Sequence, residues 1–176
     1  MATGLFNIAE SADVVVIGGG VIGLSVARAL AHKGVGKVVI IERGQLGKEA
    51  SFAAAGMLAP QAEANEADDF FKLCCRSRDL YPTFASELFA ETGIDIELDQ
   101  TGTLYCAFSE HDQQEIEIRY DWQQQAGLLV EQLTAQEALE LEPNISANLR
   151  GALKVPADMQ VDNRQEVRLV GFYGLQ

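Results

Sequence analysis

The sequence predicts an α/β fold: a parallel strand–helix–strand unit near the N-terminus, then a partial α+β region. Two runs and the segment between them predict the first part. Asp13-Val-Val-Val-Ile17 and Lys37-Val-Val-Ile-Ile41 are short and β-branched, the pattern of strands buried on both faces. Between them Gly18, Gly19 and Gly20 lead into a helix-compatible stretch, Val21 to His32, ended by Gly34. A strand, crossover helix and second strand of this length favour two parallel neighbours. Beyond residue 60 the pattern changes to longer helices and alternating apolar residues, which marks the second part.

The later elements follow in order. Residues 45–60 read as a loop rich in Gly, Ala and Ser. From Ala67 to Glu91, the residues Phe70, Leu73, Cys74, Ser77, Tyr81, Phe84 and Leu88 recur at helical spacing. Pro82 is expected to kink or split that helix, since it has no N–H to donate. Ile94, Ile96 and Leu98 alternate, Thr101-Gly102 supplies a turn, and Thr103 to Phe108 forms a second run, which predicts an antiparallel hairpin. Ser109 with Asp112, and Thr134 with Glu137, have capping-box spacing and start two further helices. Pro143 ends the second of these, and Leu149 to Val155 reads as a strand.

Composition excludes several classes of function. With 26 acidic and 13 basic residues among 176, the net charge of -13 repels phosphate backbones and anionic lipid. No basic patch offsets it, so neither nucleic acid nor membrane is an expected partner. Cys74, Cys75 and Cys106 are odd in number and match neither a disulfide framework nor metal-ligand spacing. His32 and His111 stand alone, so no metal site is expected. The apolar run Val14 to Ala27 holds four glycines, is too short to span a bilayer, and is preceded by Glu10 and Asp13 rather than basic residues. The chain is expected to be cytoplasmic.

The chemistry resides in the glycines. Gly18-Gly-Gly-Val-Ile-Gly23 fits G-x-G-x-x-G, placed after a buried-type strand and opening a helix, as a dinucleotide-binding Rossmann-type unit requires. Gly18 permits the tight turn, Gly20 lets the backbone approach a pyrophosphate, and Gly23 lets helix and strand pack closely. Ala27 and Ala31 continue the small face of the helix. Glu42 ends the second strand 19 residues after Gly23, where a carboxylate can accept both ribose hydroxyls and disfavours a 2′-phosphate. Arg43 can serve as a phosphate ligand or cover the adenine.

The stretch Glu42-Arg-Gly-Gln-Leu-Gly-Lys-Glu-Ala-Ser-Phe-Ala-Ala-Ala-Gly-Met-Leu-Ala-Pro60 adds a second small-residue loop after the ribose acid. It resembles the flavin-contacting loop of the glycine oxidase and D-amino-acid oxidase family. The similarity continues through Asp68-Asp-Phe-Phe, Ser77-Arg-Asp-Leu-Tyr, Thr92-Gly-Ile-Asp-Ile, Gly102-Thr-Leu, Leu141-Glu-Pro-Asn and Val161-Asp-Asn-Arg-Gln165.

The resemblance implies FAD as cofactor. It places Val21 and Ile22 in the pyrophosphate loop, Glu42 and Arg43 at ribose and adenine, Ala50 and Ser51 near the pyrophosphate, and Ala55, Gly56 and Met57 along the isoalloxazine. It also implies oxidative deamination of glycine, a D-amino acid or another small amine, with hydride transfer to flavin and peroxide formed. In thiamine biosynthesis the imine itself is consumed. Related flavin amine dehydrogenases and sarcosine oxidases share these features, and a non-catalytic nucleotide-binding remnant is the alternative outside the enzymes. An NAD-dependent dehydrogenase has no use for the second loop.

These features divide the chain into a flavin-binding unit (12–60), a partial substrate-side region (61–165) and a divergent tail (166–176). The tail does not resemble the family's continuation, so the chain is expected to be incomplete relative to the family. The resemblance places the substrate-carboxylate Arg, its neighbouring Tyr and further flavin contacts in that continuation. No catalytic residue is assigned, oxidase activity is not expected, and homo-oligomerisation is an expectation for a full-length parent only.

Overall fold

A computed structural model describes residues 11–167. In chain order the elements are β1 (Val14–Ile17), α1 (Val21–His32), β2 (Val38–Ile41), α2 (Ala50–Ala53), β3 (Met57–Leu58), α3 (Pro60–Glu63) and α4 (Asp69–Thr92). Then come β4 (Thr103–Ala107), α5 (Glu110–Gln125), β5 (Glu131–Thr134), α6 (Ala135–Leu141), β6 (Gly151–Val155) and β7 (Met159–Gln160), and residues 163–167 are again helical. Two compact units result: 11–55, 91–96 and 162–167 form the first, 56–90 and 97–161 the second. The part of the predicted tail beyond residue 167 lies outside the described residues. No described helix is long and apolar enough to cross a membrane.

In the first unit β1 and β2 pair in parallel, from Val14↔Val38 to Ile17↔Ile41, and α1 crosses between them as predicted. Leu24 and Ala27 bury the helix against its surroundings, and Gly34 ends it in the left-handed region (φ 67°), donating to the Ala31 carbonyl. The expectation of strands buried on both faces is corrected. Ile17 is 85% exposed, and Val15 and Ile41 are about half exposed. Among the described residues a two-stranded sheet with one crossover helix covers only one of its faces. Ala31 is also exposed, whereas Arg28 is buried and donates through Nε to Glu91 at 3.1 Å. The small face predicted for α1 therefore stops at Ala27.

The second unit is built on a three-stranded antiparallel sheet in the order β4-β6-β5. Ala107, Ile116, Val130, Leu153 and Val155 form one core cluster; Ala138, Leu149 and Ala152 form another. Both capping boxes are present: Ser109 Oγ accepts from the Asp112 amide at 3.1 Å and Thr134 Oγ1 from the Glu137 amide at 3.3 Å, each acid reaching back to its cap amide. Leu149 to Val155 narrows to β6, and the polar strand β5 had no apolar alternation to announce it.

Three further expectations are corrected here. Residues 94–98 form no strand, and β4 pairs with β6 (Thr103↔Val155 to Ala107↔Gly151) rather than with them. Glu97 takes a positive φ of 52°, which interrupts the extended run, and only Asp99 forms an isolated bridge, to Gln160. Helix α4 runs unsplit through Pro82, so of the two expected effects the split is the one overturned. The proline forfeits one backbone bond within a helix of 24 residues, a local loss that the remaining ladder tolerates. Finally, Leu88 of the predicted α4 face is buried and Cys74, Tyr81 and Phe84 are half-buried, but Phe70, Leu73 and Ser77 are exposed and Phe71 is buried instead.

Candidate functional site

The glycine loop of the first unit is shaped by backbone demands that only glycine meets at two positions. Gly18 leaves β1 with φ 104°, its amide donating to the Ile41 carbonyl at 2.8 Å. At Gly23 a Cβ would stand 2.0 Å from the Gly18 carbonyl oxygen, so α1 can begin this close to the strand only without a side chain there. Gly20 is the N-cap of α1 and offers no side-chain cap; the first turn contains no acidic residue. The N-terminal amides and the positive dipole end therefore have no internal anion competing for them.

Two side chains from elsewhere close on this loop. Glu42, at the end of β2, accepts the Gly19 amide through Oε2 and the Gly44 amide through Oε1, each at 2.8 Å. Those bonds, the Gly19 one foremost, hold its carboxyl below the usual carboxylate range. An ionised carboxylate keeps lone pairs on both oxygens for further donors such as hydroxyls and repels a phosphate in the same place. Ser51, in α2, accepts the Val21 amide through Oγ at 3.0 Å, and a Cβ on Gly20 would lie 3.0 Å from that oxygen. The Gly47 amide donates to the Gly19 carbonyl at 2.8 Å, tying the second loop to the first.

The structure thus brings Gly18, Gly20, Val21, Gly23, Glu42 and Ser51 together. Ile22 points its side chain outward, which leaves only its amide at the loop. Ala50 adjoins Ser51 in α2, and Arg43 is exposed and pairs with Glu49 at 3.6 Å. Ala55 ends the first unit's share of the small-residue loop. Gly56 and Met57 belong to the second unit, where the Gly56 carbonyl accepts the Val161 amide and Met57 pairs with Gln160 in the β3–β7 ladder.

One residue of this region was given no role in the sequence. The Asn163 side-chain amide donates to the Ser51 carbonyl at 2.6 Å and to the Phe52 carbonyl at 3.3 Å, fixing the turn that carries Ser51. The available signal was Asp162, whose carboxylate accepts the Arg164 and Gln165 amides in the manner of a helix cap. That places Asn163 in a first helical turn but says nothing about its distant partner.

The whole arrangement fits the diphosphate and ribose of an unphosphorylated dinucleotide: a helix N-terminus with no acid in its first turn, a hydroxyl on the Val21 amide and an ionised carboxylate at the second strand's end.

Comparison with known proteins agrees. The profile of the family described as DAO, FAD dependent oxidoreductase, matches residues 13–169. The glycine oxidase of Geobacillus kaustophilus (strain HTA426) is 41% identical over 150 residues, covering 85% of this chain and 40% of that protein. The glycine oxidase of Bacillus licheniformis is 40% identical, covering 85% and 39%. The crystal structure of glycine oxidase from Geobacillus kaustophilus superposes with a TM-score of 0.88 at 38% identity, over 92% of this chain and 44% of that one. The chain therefore spans about two fifths of the length of the curated relatives it matches.

Proposed function

Because this chain belongs to the FAD-dependent oxidoreductase family, we propose that its first unit binds the ADP portion of FAD for a glycine-oxidase type of amine oxidation. The observation that carries this reading is the Gly18–Gly23 loop closed by the Glu42 carboxylate and the Ser51 hydroxyl. The N-terminus of α1, with Gly20 and the backbone of Val21 and Ile22, would hold the pyrophosphate. Glu42 accepts from the ribose hydroxyls, Arg43 covers the adenine, and Ala50 and Ser51 flank the phosphates. FAD held there would supply the two-electron acceptor for oxidation of an amine-bearing carbon, with oxygen as the final acceptor. This chain's own residues hold and orient; none is assigned a proton transfer. Three free thiols, Cys74, Cys75 and Cys106, support a reducing, cytoplasmic setting.

The test is retention of FAD by the purified chain. After incubation with FAD and gel filtration, flavin absorbance is expected to co-elute with protein, to survive excess NAD, and to be lost in Gly20→Ala. Displacement by NAD, or retention unaffected by Gly20→Ala, overturns the reading. The same preparation is expected to form no peroxide from glycine, because no residue assigned here pairs a substrate carboxylate over the flavin. Orientation of that kind is worth about 7–11 kcal/mol of a barrier.

A further inference from the structure

The first unit contains a pocket of about 440 Å³ between the loop that follows β2, α2 and the helical residues 163–167. Its wall is apolar: Leu46, the Phe52 ring and Val167, the last packed so tightly on Gly47 that no Cβ would fit there. Its polar side chains are Lys48, Arg164 and Gln165, and no acid is among the described residues that line it.

The Phe52 ring brings the two cations together. Lys48 Nζ lies 4.2 Å from the ring centroid, and Arg164 Cζ lies 4.8 Å from it. The ring attracts each of them, but two like charges at one ring repel each other, and an anion beside them relieves that repulsion. Arg28, Arg43, Arg78 and Arg150 each pair with a carboxylate, whereas Lys48 and Arg164 pair with none among the described residues. In a chain with 26 acidic and 13 basic residues, carboxylates are not scarce, so two neighbouring cations without one mark chemistry for an external anion. The Gln165 side-chain amide, also unbonded among the described residues, adds an N–H donor at the same pocket.

Two positive charges and an amide suit a doubly charged anion better than a carboxylate. A phosphate monoester carries a charge of about −1.5 to −2 near neutral pH, with three acceptor oxygens for an ammonium, a guanidinium and an amide. The apolar wall then receives the organic group. The net charge of −13 repels nucleic acid and anionic membranes, which favours a small ligand. We propose that this pocket binds a small phosphate monoester with an apolar organic group, its phosphate held between Lys48 and Arg164. The site goes beyond the dinucleotide reading, since none of the side chains that line it is assigned to FAD. Lys48 and Arg164 are far apart in sequence, so no basic run announces the pair; the fold makes it.

Calorimetric titration of the full 176-residue chain with phenyl phosphate near neutral pH, with and without saturating FAD, tests the site. Phenyl phosphate is expected to bind at least about tenfold more tightly than inorganic phosphate, which lacks the apolar group, or benzoate, which carries a single charge. FAD is expected to leave that affinity unchanged. Lys48→Gln and Arg164→Gln, both at exposed positions, are each expected to weaken phenyl phosphate about tenfold while FAD retention stays parental. Lys48→Arg keeps the charge and is expected to keep the binding. Vesicles containing phosphatidic acid, which present the same group on an anionic surface, are expected not to retain the chain. No binding of phenyl phosphate, equal binding of inorganic phosphate, displacement by FAD, retention on those vesicles, or indifference to either glutamine variant overturns the proposal. FAD retention measured on the same samples keeps the two readings apart: FAD held without phenyl phosphate sinks only this one, and phenyl phosphate held without FAD sinks only the earlier one.

Discussion

Gly20 and Gly23 occupy the same loop three residues apart, yet alanine at the two positions is expected to fail in different ways. At Gly23 the new Cβ would sit 2.0 Å from the Gly18 carbonyl oxygen, where ordinary contact begins at 3.4 Å. The neighbour is backbone, which cannot rotate aside, so α1 must move away from β1 by more than about 1 Å, an overpacking cost of about 3 kcal/mol. At Gly20 the Cβ meets Ser51 Oγ at 3.0 Å, and a hydroxyl can turn. Turning it costs the Val21 amide its acceptor, about 1 kcal/mol, and the extended backbone of Gly20 (φ −79°, ψ 179°) accepts alanine without strain. For a chain of this size each kcal/mol moves the midpoint by about 2–4 °C. Gly23→Ala is thus expected to melt about 6–12 °C below the parent, and Gly20→Ala about 2–4 °C below it. FAD affinity separates them again, because the Gly20 methyl projects into the proposed pyrophosphate site beside Ser51 Oγ. Gly20→Ala is expected to lose flavin at a temperature where its circular dichroism is native. Thermal melts with and without FAD provide both numbers. If Gly23→Ala melts with the parent, or Gly20→Ala keeps parental FAD affinity, the assignment of packing to one glycine and approach to the other is wrong.

Other expectations follow from single contacts. Glu42 ionises below the usual carboxylate range because it accepts two loop amides, so its contribution to stability is present above that range and disappears as pH falls through its lowered value. Glu42→Gln is expected to flatten that acid limb in urea melts taken from neutral to acid pH, and an unchanged limb refutes it. Asp158→Ala removes the acceptor of the Gln61 and Ala62 amides and of Arg78, and is expected to cost about 2–4 kcal/mol by denaturant titration; less than about 1 kcal/mol means that the network is dispensable. Burial pushes the Asp158 carboxyl up, so relative to Asp158→Asn the parent is expected to lose stability as pH rises from the ordinary carboxylate value through the raised one. A difference that grows with pH excludes that sign. Asn163→Ala frees the Ser51 and Phe52 carbonyls, and is expected to lower FAD affinity about tenfold with little change in melting; equal affinity would show that the Ser51 turn holds itself.

What the sequence revealed and what it hid divides along the range of the interactions. The Gly18–Gly23 turn, the two strands and the crossover helix were legible because adjacent residues dictate them: a positive φ, a close approach and a β-branched run. The capping boxes were legible for the same reason, since cap and acid are three residues apart. The hairpin failed because alternation announces an extended, half-exposed segment without naming its partner. The strand at 103–107 took β6, almost fifty residues on, while Glu97 broke the nearer run. Asn163 lies 112 residues from Ser51, and Asp158 lies 97 from Gln61. Neither pairing leaves a local pattern, so the sequence names no partner for either residue.

Local reasoning also misjudged the strands, for a physical reason that bears on function. A β-branched run says what a strand needs, which is cover on both sides; whether cover is present depends on other segments. Ile17 and Ile41 are the last residues of β1 and β2, and both are exposed although apolar, directly before the glycine loop and Glu42. Their pairing keeps the Gly18 amide on the Ile41 carbonyl and the Glu42 carboxylate on the Gly19 amide without help from a second layer. The glycine loop is therefore held by contacts within the strand–helix–strand unit, joined by the Ser51 hydroxyl and the Gly47 amide from the loop that follows, and none of these contacts needs cover on the open face of the sheet.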